Sequence, residues 1–304
     1  MQKSKKAVTK EVKKEVLICT CMPDLSDEDI KQIQRRSSSK QRSKPHSKQR
    51  ATFLKDTRWD NGDTIRIAFM EGTPEQREHV KNVAAKWLSY INLRFEYIES
   101  LEDSDVRIAF MSGKGSWSYL GKQNRSIAKT DPTMNFGWLS EKPEEDERGT
   151  ILHEYGHMLG LGHEHQNPNS VINWKRDLVI AELSGPPNNW SVESIERNVL
   201  SKYGVAETVA TKQDFASIMM YSFPSTWNEQ NYMVYATTSL SRTDKLAISQ
   251  MYPKDDWTID YESDVSGDVE PPTTGNCCTP IIRRTATAIA QYIRRNNNNQ
   301  PPTK

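Results

Sequence analysis

The stretch HEYGHMLGLGHE, residues 153–164, decides how this chain folds and what it can bind. His153 and His157 lie four residues apart, so on an α-helix both imidazoles point to the same side, one turn apart. His163 cannot join them on a straight helix, because it would lie about 9 Å farther along the axis. We therefore predict that the helix ends at Gly160, since glycine tolerates a positive φ, and that the chain turns back to bring His163 to the same ion.

Three converging histidines are typical of a catalytic zinc site, because three protein ligands leave the fourth tetrahedral position to a water molecule. Glu154 follows the first ligand and can reach that water. Zinc lowers the pKa of its water to about 7, so Glu154 can accept a proton as general base and return it as general acid. Four of the six histidines lie between residues 153 and 165, and no cysteine lies between residues 22 and 276. The pattern predicts one catalytic Zn²⁺ ion and hydrolysis by zinc-activated water, and favours them over a chance cluster of surface histidines.

The residues before this stretch have the patterns of a sheet with one long helix. Thr73-Pro74, followed by Glu75 and Glu78, has the order of an N-cap, a first-turn proline and an acidic first turn, and predicts a helix. A sheet with one long helix makes this half α+β or α/β in character. Alternation of apolar and polar residues predicts strands over 64–70, 93–98 and 106–110, and shorter ones over 116–120 and 133–138.

The two ends of the chain differ in composition from its middle. Residues 1–50 carry fourteen Lys or Arg against six Asp or Glu, although the net charge of all 304 residues is only +1. We predict a basic, largely disordered leader or prosegment over 1–55, a catalytic domain over 56–253, and an acidic, low-complexity tail over 254–304 that could include a short helix.

Neither end has a strong signal for a function of its own. The basic leader could bind nucleic acid, but it lacks aromatic residues between its charges, so a solvated arm or prosegment is the favoured interpretation. Cys277 and Cys278 could chelate a metal or pair with another chain, but unremarkable free thiols are favoured. The chain contains no secretory signal pattern and no run of about 20 apolar residues, so we expect no membrane span.

Beyond the histidine stretch, the sequence resembles the metzincin metallopeptidases, and within that group the bacterial and fungal branch of the astacin family. The resemblance rests on Glu164 after the third histidine and on SIMMY, residues 217–221; His165-Gln166, 172–174, 240–246 and Tyr252-Pro253 add to it. It implies an α+β fold, namely a metzincin, or zincin-like, catalytic domain. The N-terminal half would hold a twisted mixed sheet and the active-site helix, and the C-terminal half would be mostly irregular and helical. Astacins usually have histidine at the position of Met220, which is neither ligand nor base.

The resemblance also implies roles for residues outside the ligand set. Met219 would be the methionine that underlies the metal, and Tyr221 a zinc ligand that swings away to stabilise the transition-state oxyanion. Glu164 would be a structural contact to the N-terminus freed on maturation, beside the structural Gly160, and His165 a motif-associated residue, not a fourth ligand. An extended substrate would pair with an edge strand formed by Ser116, Trp117, Ser118 and Tyr119.

The function that these observations predict is a monomeric zinc metalloendopeptidase acting on proteins or peptides. Two hypotheses of other classes stay open: a catalytically silent zinc-containing binding module on the same fold, and nucleic-acid binding through the leader. The retention of Glu154 and Tyr221 favours the enzyme. The resemblance alone favours an extracellular location, and the sequence does not indicate the side-chain preference.

Overall fold

The computed structural model describes residues 53–54, 57–186, 188–204, 208–209 and 212–254. Almost all of the predicted leader and tail, with all four cysteines, lies outside these ranges, so the domain boundaries stay a prediction. No helix within them is long and apolar enough to cross a membrane.

A five-stranded mixed sheet forms the N-terminal half of the described chain. Its strands are β2 Thr64–Phe69, β3 Arg94–Tyr97, β4 Val106–Ala109, β5 Ser116–Ser118 and β6 Met134–Phe136, while β1 Phe53–Leu54 pairs separately with β7 Thr208–Val209. The order in the sheet is β3-β2-β4-β6-β5, in which β5 runs antiparallel to β6 and the other neighbouring pairs are parallel. The predicted strands are confirmed, but each is shorter than expected because the apolar alternation continues past the last paired residues.

Helix α1, Pro74–Leu88, begins where the sequence predicts. Thr73 is its N-cap and forms a reciprocal capping box with Gln76, which satisfies two N–H groups that the first turn leaves without helical partners. Its buried face packs on the sheet and on the next helix, α2, which spans Arg148–Met158. Nε1 of Trp87 on α1 donates a hydrogen bond to the carbonyl of Leu152 on α2. This contact fixes the ligand-bearing helix against the sheet.

Side chains from distant parts of the chain cap the C-terminal end of α2. Trp59 Nε1 donates to the carbonyl of Met158 at 2.8 Å, and the Tyr252 hydroxyl donates to that of Leu159 at 2.7 Å. The hydroxyl also accepts a hydrogen bond from the main-chain N–H of Trp59. The final carbonyls of a helix have no partner within the helix, so these two aromatic residues supply what the helix end needs.

The C-terminal half is irregular and helical, as predicted. It contains α3 Arg176–Leu183, α4 Val192–Ile195, the π-helical turn Glu196–Leu200 and α5 Arg242–Met251. Its own apolar cluster lies beside the cluster between the sheet, α1 and α2. Met219 belongs to the first cluster and Tyr221 to the second, so the segment that joins the two clusters passes the three histidines.

Candidate metal centre

Helix α2 carries the first two histidines and ends just where the third ligand requires it to end. Its last residue is Met158, and Gly160 follows with a φ of +99°. The N–H of Leu161 then returns to the carbonyl of Gly156, which turns the chain back beneath the helix. The predicted break at Gly160 is confirmed.

The three histidines converge on one point. One ring nitrogen from each of His153, His157 and His163 can be chosen so that all three lie within 4.8 Å of one another, and all three residues are buried. Nε2 of His157 and Nε2 of His163 are 3.0 Å apart. Nitrogen ligands at the usual zinc distance of about 2.0–2.1 Å would be about 3.3 Å apart, so the arrangement fits zinc after a small adjustment.

The outer nitrogen of each imidazole faces an oxygen. Nδ1 of His153 lies 2.7 Å from the carbonyl of Ile218, and Nδ1 of His157 lies 2.8 Å from the carbonyl of Leu161. A carbonyl oxygen only accepts hydrogen bonds, so each Nδ1 carries the proton and each Nε2 keeps its lone pair for a metal. Nε2 of His153 is buried without a hydrogen-bond partner in the described structure, as expected of an atom that is placed for a metal.

Burial keeps these imidazoles neutral. It lowers the pKa of His153 to about 4, and it lowers the pKa values of His157 and His163 well below the ordinary 6.5. Only a neutral imidazole can bind a metal. At neutral pH, therefore, protons do not compete with a metal for this site.

Glu154 lies on α2 directly after the first ligand and is fully buried. The structure thus places the predicted base on the same helix as the first two ligands.

The predicted methionine and tyrosine lie on two sides of the ligands. Met219 packs against α2 at Gly156, so its sulfur supports the helix at the turn between the two ligands. The ring of Tyr221 has its centroid 4.2 Å from that of His163 and 4.1 Å from that of His165. Tyr221 is thus adjacent to the third ligand, as the resemblance implies.

His165 stacks on Tyr221 and shares a hydrogen bond at 3.0 Å between its Nε2 and the carbonyl of Asn198. Among the described residues, the converging metal-binding group contains only His153, His157 and His163. His165 is thus a buried neighbour of the site.

Glu164 faces away from the ligands. One carboxyl oxygen accepts hydrogen bonds from the Asn167 side chain and from the main-chain N–H of Asp214. Burial raises the pKa of Glu164 to about 8. The carboxyl group also lines a cavity of about 10 Å³ with Ser217 and Asp244, roughly the volume of one water molecule. Its contact with a freed N-terminus stays a prediction.

The proposed substrate strand lies at an edge of the sheet. Ser116, Trp117 and Ser118 form β5, which pairs with β6 on one side and has no strand on the other within the described residues. Tyr119 falls one residue beyond the strand, and all four side chains are buried. An edge strand can add a further strand through its main chain, but Ser116 and Ser118 are no more than 1% exposed, main chain included, so pairing with a substrate stays a prediction.

The contacts of three residues at the site were missed by sequence reasoning. Asp244, at the start of α5, accepts hydrogen bonds from the Ser217 hydroxyl and the N–H of Ile218, and so holds the segment before Met219. Gln166 and Tyr203 both contact His163. The available signal was the Ser241-x-x-Asp244 spacing of a capping box, which predicts a helix start but not this second contact.

Comparison with known proteins agrees with this geometry. The family model for astacin, a family of peptidases, matches residues 51–253. Over 200 residues, 65% of this chain, the sequence is 28% identical to the zinc metalloproteinase nas-38 of Caenorhabditis elegans, of which the match covers 24%. It is 25% identical to the protein SpAN of Strongylocentrotus purpuratus over 47% of this chain and 22% of the relative.

A solved structure of myroilysin is also similar. It has a TM-score of 0.65 and 37% sequence identity, and the match covers 67% of this chain and all of that one. By contrast, the chain spans only about a quarter of the length of the curated relatives named above.

Proposed function

The chain belongs to the astacin family of peptidases, and from this premise we propose that it is a zinc metalloendopeptidase that hydrolyses internal peptide bonds in proteins or peptides. The observation that carries the proposal is the convergence of three buried, neutral imidazoles whose Nδ1 atoms face acceptors. That donor set suits zinc, the metal of this family.

A zinc ion held by His153, His157 and His163 would supply a Lewis acid that lowers the pKa of a water molecule to about 7 and polarises the substrate carbonyl. Glu154 would accept a proton from the attacking water and return it to the leaving amine. Its position on α2 directly after His153 supports this role. No other nucleophile is required.

Tyr221 is the proposed second catalytic residue. Its ring lies against that of His163, with the centroids 4.2 Å apart, which supports this role. Donation of a hydrogen bond to the carbonyl oxygen would stabilise the negative charge that develops there in the transition state. Main-chain pairing along β5 would hold the substrate extended across the site.

We further propose that residues 56–253 are the catalytic domain and that the basic residues before them are a leader. The family match over 51–253 supports this division. Limited proteolysis followed by N-terminal sequencing tests it, and a stable fragment starting far inside the domain would contradict it.

The test of function compares the zinc-loaded chain with Glu154→Gln on a denatured protein substrate, before and after trimming of the leader by limited proteolysis. We expect cleavage at internal bonds that a chelator abolishes and zinc restores. Glu154→Gln should retain zinc but lose at least about 100-fold in kcat, since general acid–base catalysis contributes about that much. Absence of chelator-sensitive cleavage from the trimmed parent would leave the silent binding module as the interpretation.

A further inference from the structure

The third histidine differs from the other two in the kind of group that faces its Nδ1. Main-chain carbonyls face Nδ1 of His153 and His157, whereas a side chain, Gln166, faces Nδ1 of His163, with Oε1 at 3.2 Å. A main-chain carbonyl stays in place when its own side chain is replaced. The partner of His163 can be removed by a single substitution, so its contribution to the metal site can be measured.

The surroundings of Gln166 fix the orientation of its amide. Its Nε2 donates to the carbonyls of Arg197 at 2.7 Å and Ser201 at 2.9 Å. Both partners only accept, so the nitrogen must face them and Oε1 must face His163. Because Oε1 also only accepts, Nδ1 of His163 carries the proton and its Nε2 is left with the lone pair. Gln166 itself is only 2% exposed.

The π-helical turn Glu196–Leu200 supplies these carbonyls. The N–H of Ser201 donates to the carbonyl of Glu196, five residues back, and not to that of Arg197, four residues back. The wider turn therefore leaves the Arg197 carbonyl available to Gln166. The next carbonyl, that of Asn198, accepts from His165.

Tyr203, just after this turn, makes a second connection to the same loop. Its hydroxyl accepts a hydrogen bond at 3.0 Å from the main-chain N–H of His163, and its own N–H donates to the carbonyl of Gln166. Its ring lies so close to Gly162 that a β-carbon there would stand 2.7 Å from it. Segment 196–203 is thus connected to the side chain of His163 through Gln166 and to the main chain of His163 through Tyr203.

We propose that Gln166 is a positioning residue for the metal. Its side-chain amide fixes the tautomer and direction of the His163 imidazole, and segment 196–203 holds that amide in place. The inference rests on the proposed function only in taking zinc as the bound metal. Loss of a hydrogen-bond partner outside the ligand shell typically weakens metal binding or activity by about 10–100-fold.

The test compares the full chain with Gln166→Met, which has similar length but no amide. We expect the zinc dissociation constant, measured by competition with a chelator, to rise by about 10–100-fold. We also expect the ligand-field absorption of the cobalt(II)-substituted protein to change. In the zinc-free parent, nitrogen-15 NMR of the imidazoles should place the His163 proton on Nδ1, and Gln166→Met should give a mixture of tautomers.

Two further variants separate positioning from general destabilisation. Asn124→Leu removes an equally buried amide whose Nδ2 donates to the carbonyls of Tyr119 and Gly121, and neither hydrogen bond involves a histidine. It should keep the zinc dissociation constant within about twofold and leave the cobalt spectrum unchanged. Gln166→Glu retains an acceptor for His163 but loses both donated hydrogen bonds, so it should bind zinc more tightly than Gln166→Met.

Three results would overturn the proposal: an unchanged zinc dissociation constant in Gln166→Met, an equal loss of zinc affinity in Asn124→Leu, or weaker zinc binding by Gln166→Glu than by Gln166→Met. If Gln166→Met does not fold, the tautomer of His163 in the zinc-free parent decides, since a proton on Nε2 contradicts the assigned arrangement. None of these measurements requires peptide hydrolysis, so failure of the proposed function would be recognised separately.

Discussion

The sulfur of Met219 packs against Gly156 so closely that a β-carbon at position 156 would stand 2.4 Å from it. Gly156 lies on α2 between the two helical ligands, a position at which most other residues would favour the helix more than glycine does. The glycine therefore reflects the space that the methionine occupies beneath the metal site. This one contact couples the residue between the two helical ligands to the methionine that supports them.

Gly156→Ala should destabilise the protein although alanine favours helices. The added methyl group overlaps Met219, with Trp87 close on the other side, and overpacking of this kind costs about 1–3 kcal/mol. Urea denaturation measures the loss. Gly185→Ala is the control, because its β-carbon would meet nothing closer than 3.7 Å, and it should change the stability by no more than about 0.5 kcal/mol. Equal stability of the two variants would contradict the packing argument.

Asp244→Leu should weaken both the fold and zinc binding. It leaves the Ser217 hydroxyl and the N–H of Ile218 without their acceptor, and each such buried group costs about 1–3 kcal/mol. The carbonyl of Ile218 faces His153, so the loss reaches a ligand. Asp244→Asn retains one acceptor and should give an intermediate loss in both thermal unfolding and zinc titration. Unchanged zinc affinity in Asp244→Leu would show that the ligand is held independently.

Tyr221→Phe should lower kcat by about 100-fold, because loss of one donor to a developing oxyanion typically has that effect. The phenyl ring can keep the contacts with His163 and His165, so zinc content and KM should change little. Steady-state kinetics with matched zinc analysis measure both quantities. A kcat within about threefold of the parent would remove Tyr221 from the catalytic residues.

The zinc-free protein should lose stability as the pH falls from about 6.5 to about 4.5. Burial lowers the pKa of His153 to about 4 and of His165 to about 3, and lowers those of His157 and His163 as well. An unfolded histidine binds its proton below about pH 6.5. Unfolding therefore takes up protons in this window, and the free energy of unfolding decreases as the pH falls.

Glu164 acts in the opposite direction. Its folded pKa of about 8 means that it contributes stability at low pH that is lost as the pH rises toward 8. One raised glutamate and the raised pKa of Asp244 offset only part of the effect of four histidines. Denaturation of His165→Phe between pH 4.5 and 6.5 isolates one histidine, and its slope should be smaller by up to about 1.4 kcal/mol per pH unit. Parallel slopes would contradict the lowered pKa of His165.

The parts of the site that the sequence predicts are those that depend on local periodicity. The spacing of His153 and His157, with a glycine at position 160, follows from helix geometry and needs no knowledge of distant residues. Thr73-Pro74 predicts the start of α1 for the same reason. The strand ends were less accurate, because alternation does not reveal where a neighbouring strand stops pairing.

Residues that act across long sequence distances could not be predicted in this way. Tyr203 reaches His163 over 40 positions, and Asp244 reaches Ser217 over 27. Both contacts depend on how loops pack, which leaves no periodic signal. The π-helical turn that supports Gln166 differs from an α-helix by one hydrogen-bond step and has no distinctive composition. Family resemblance located Met219 and Tyr221, but it did not supply the residues that hold them.

The closure of the helix end by Trp59 and Tyr252 has a consequence for the newly made chain. The hydroxyl that caps the carbonyl of Leu159 belongs to a residue 93 positions later in the chain, and the same residue lies 193 positions after Trp59. During translation, the ligand-bearing helix therefore leaves the ribosome long before Tyr252, whose side chain completes the C-terminal end of that helix. We expect the metal site to mature only after translation of the last described helix, so that the growing polypeptide is not exposed to its own peptidase while most of it is still unfolded.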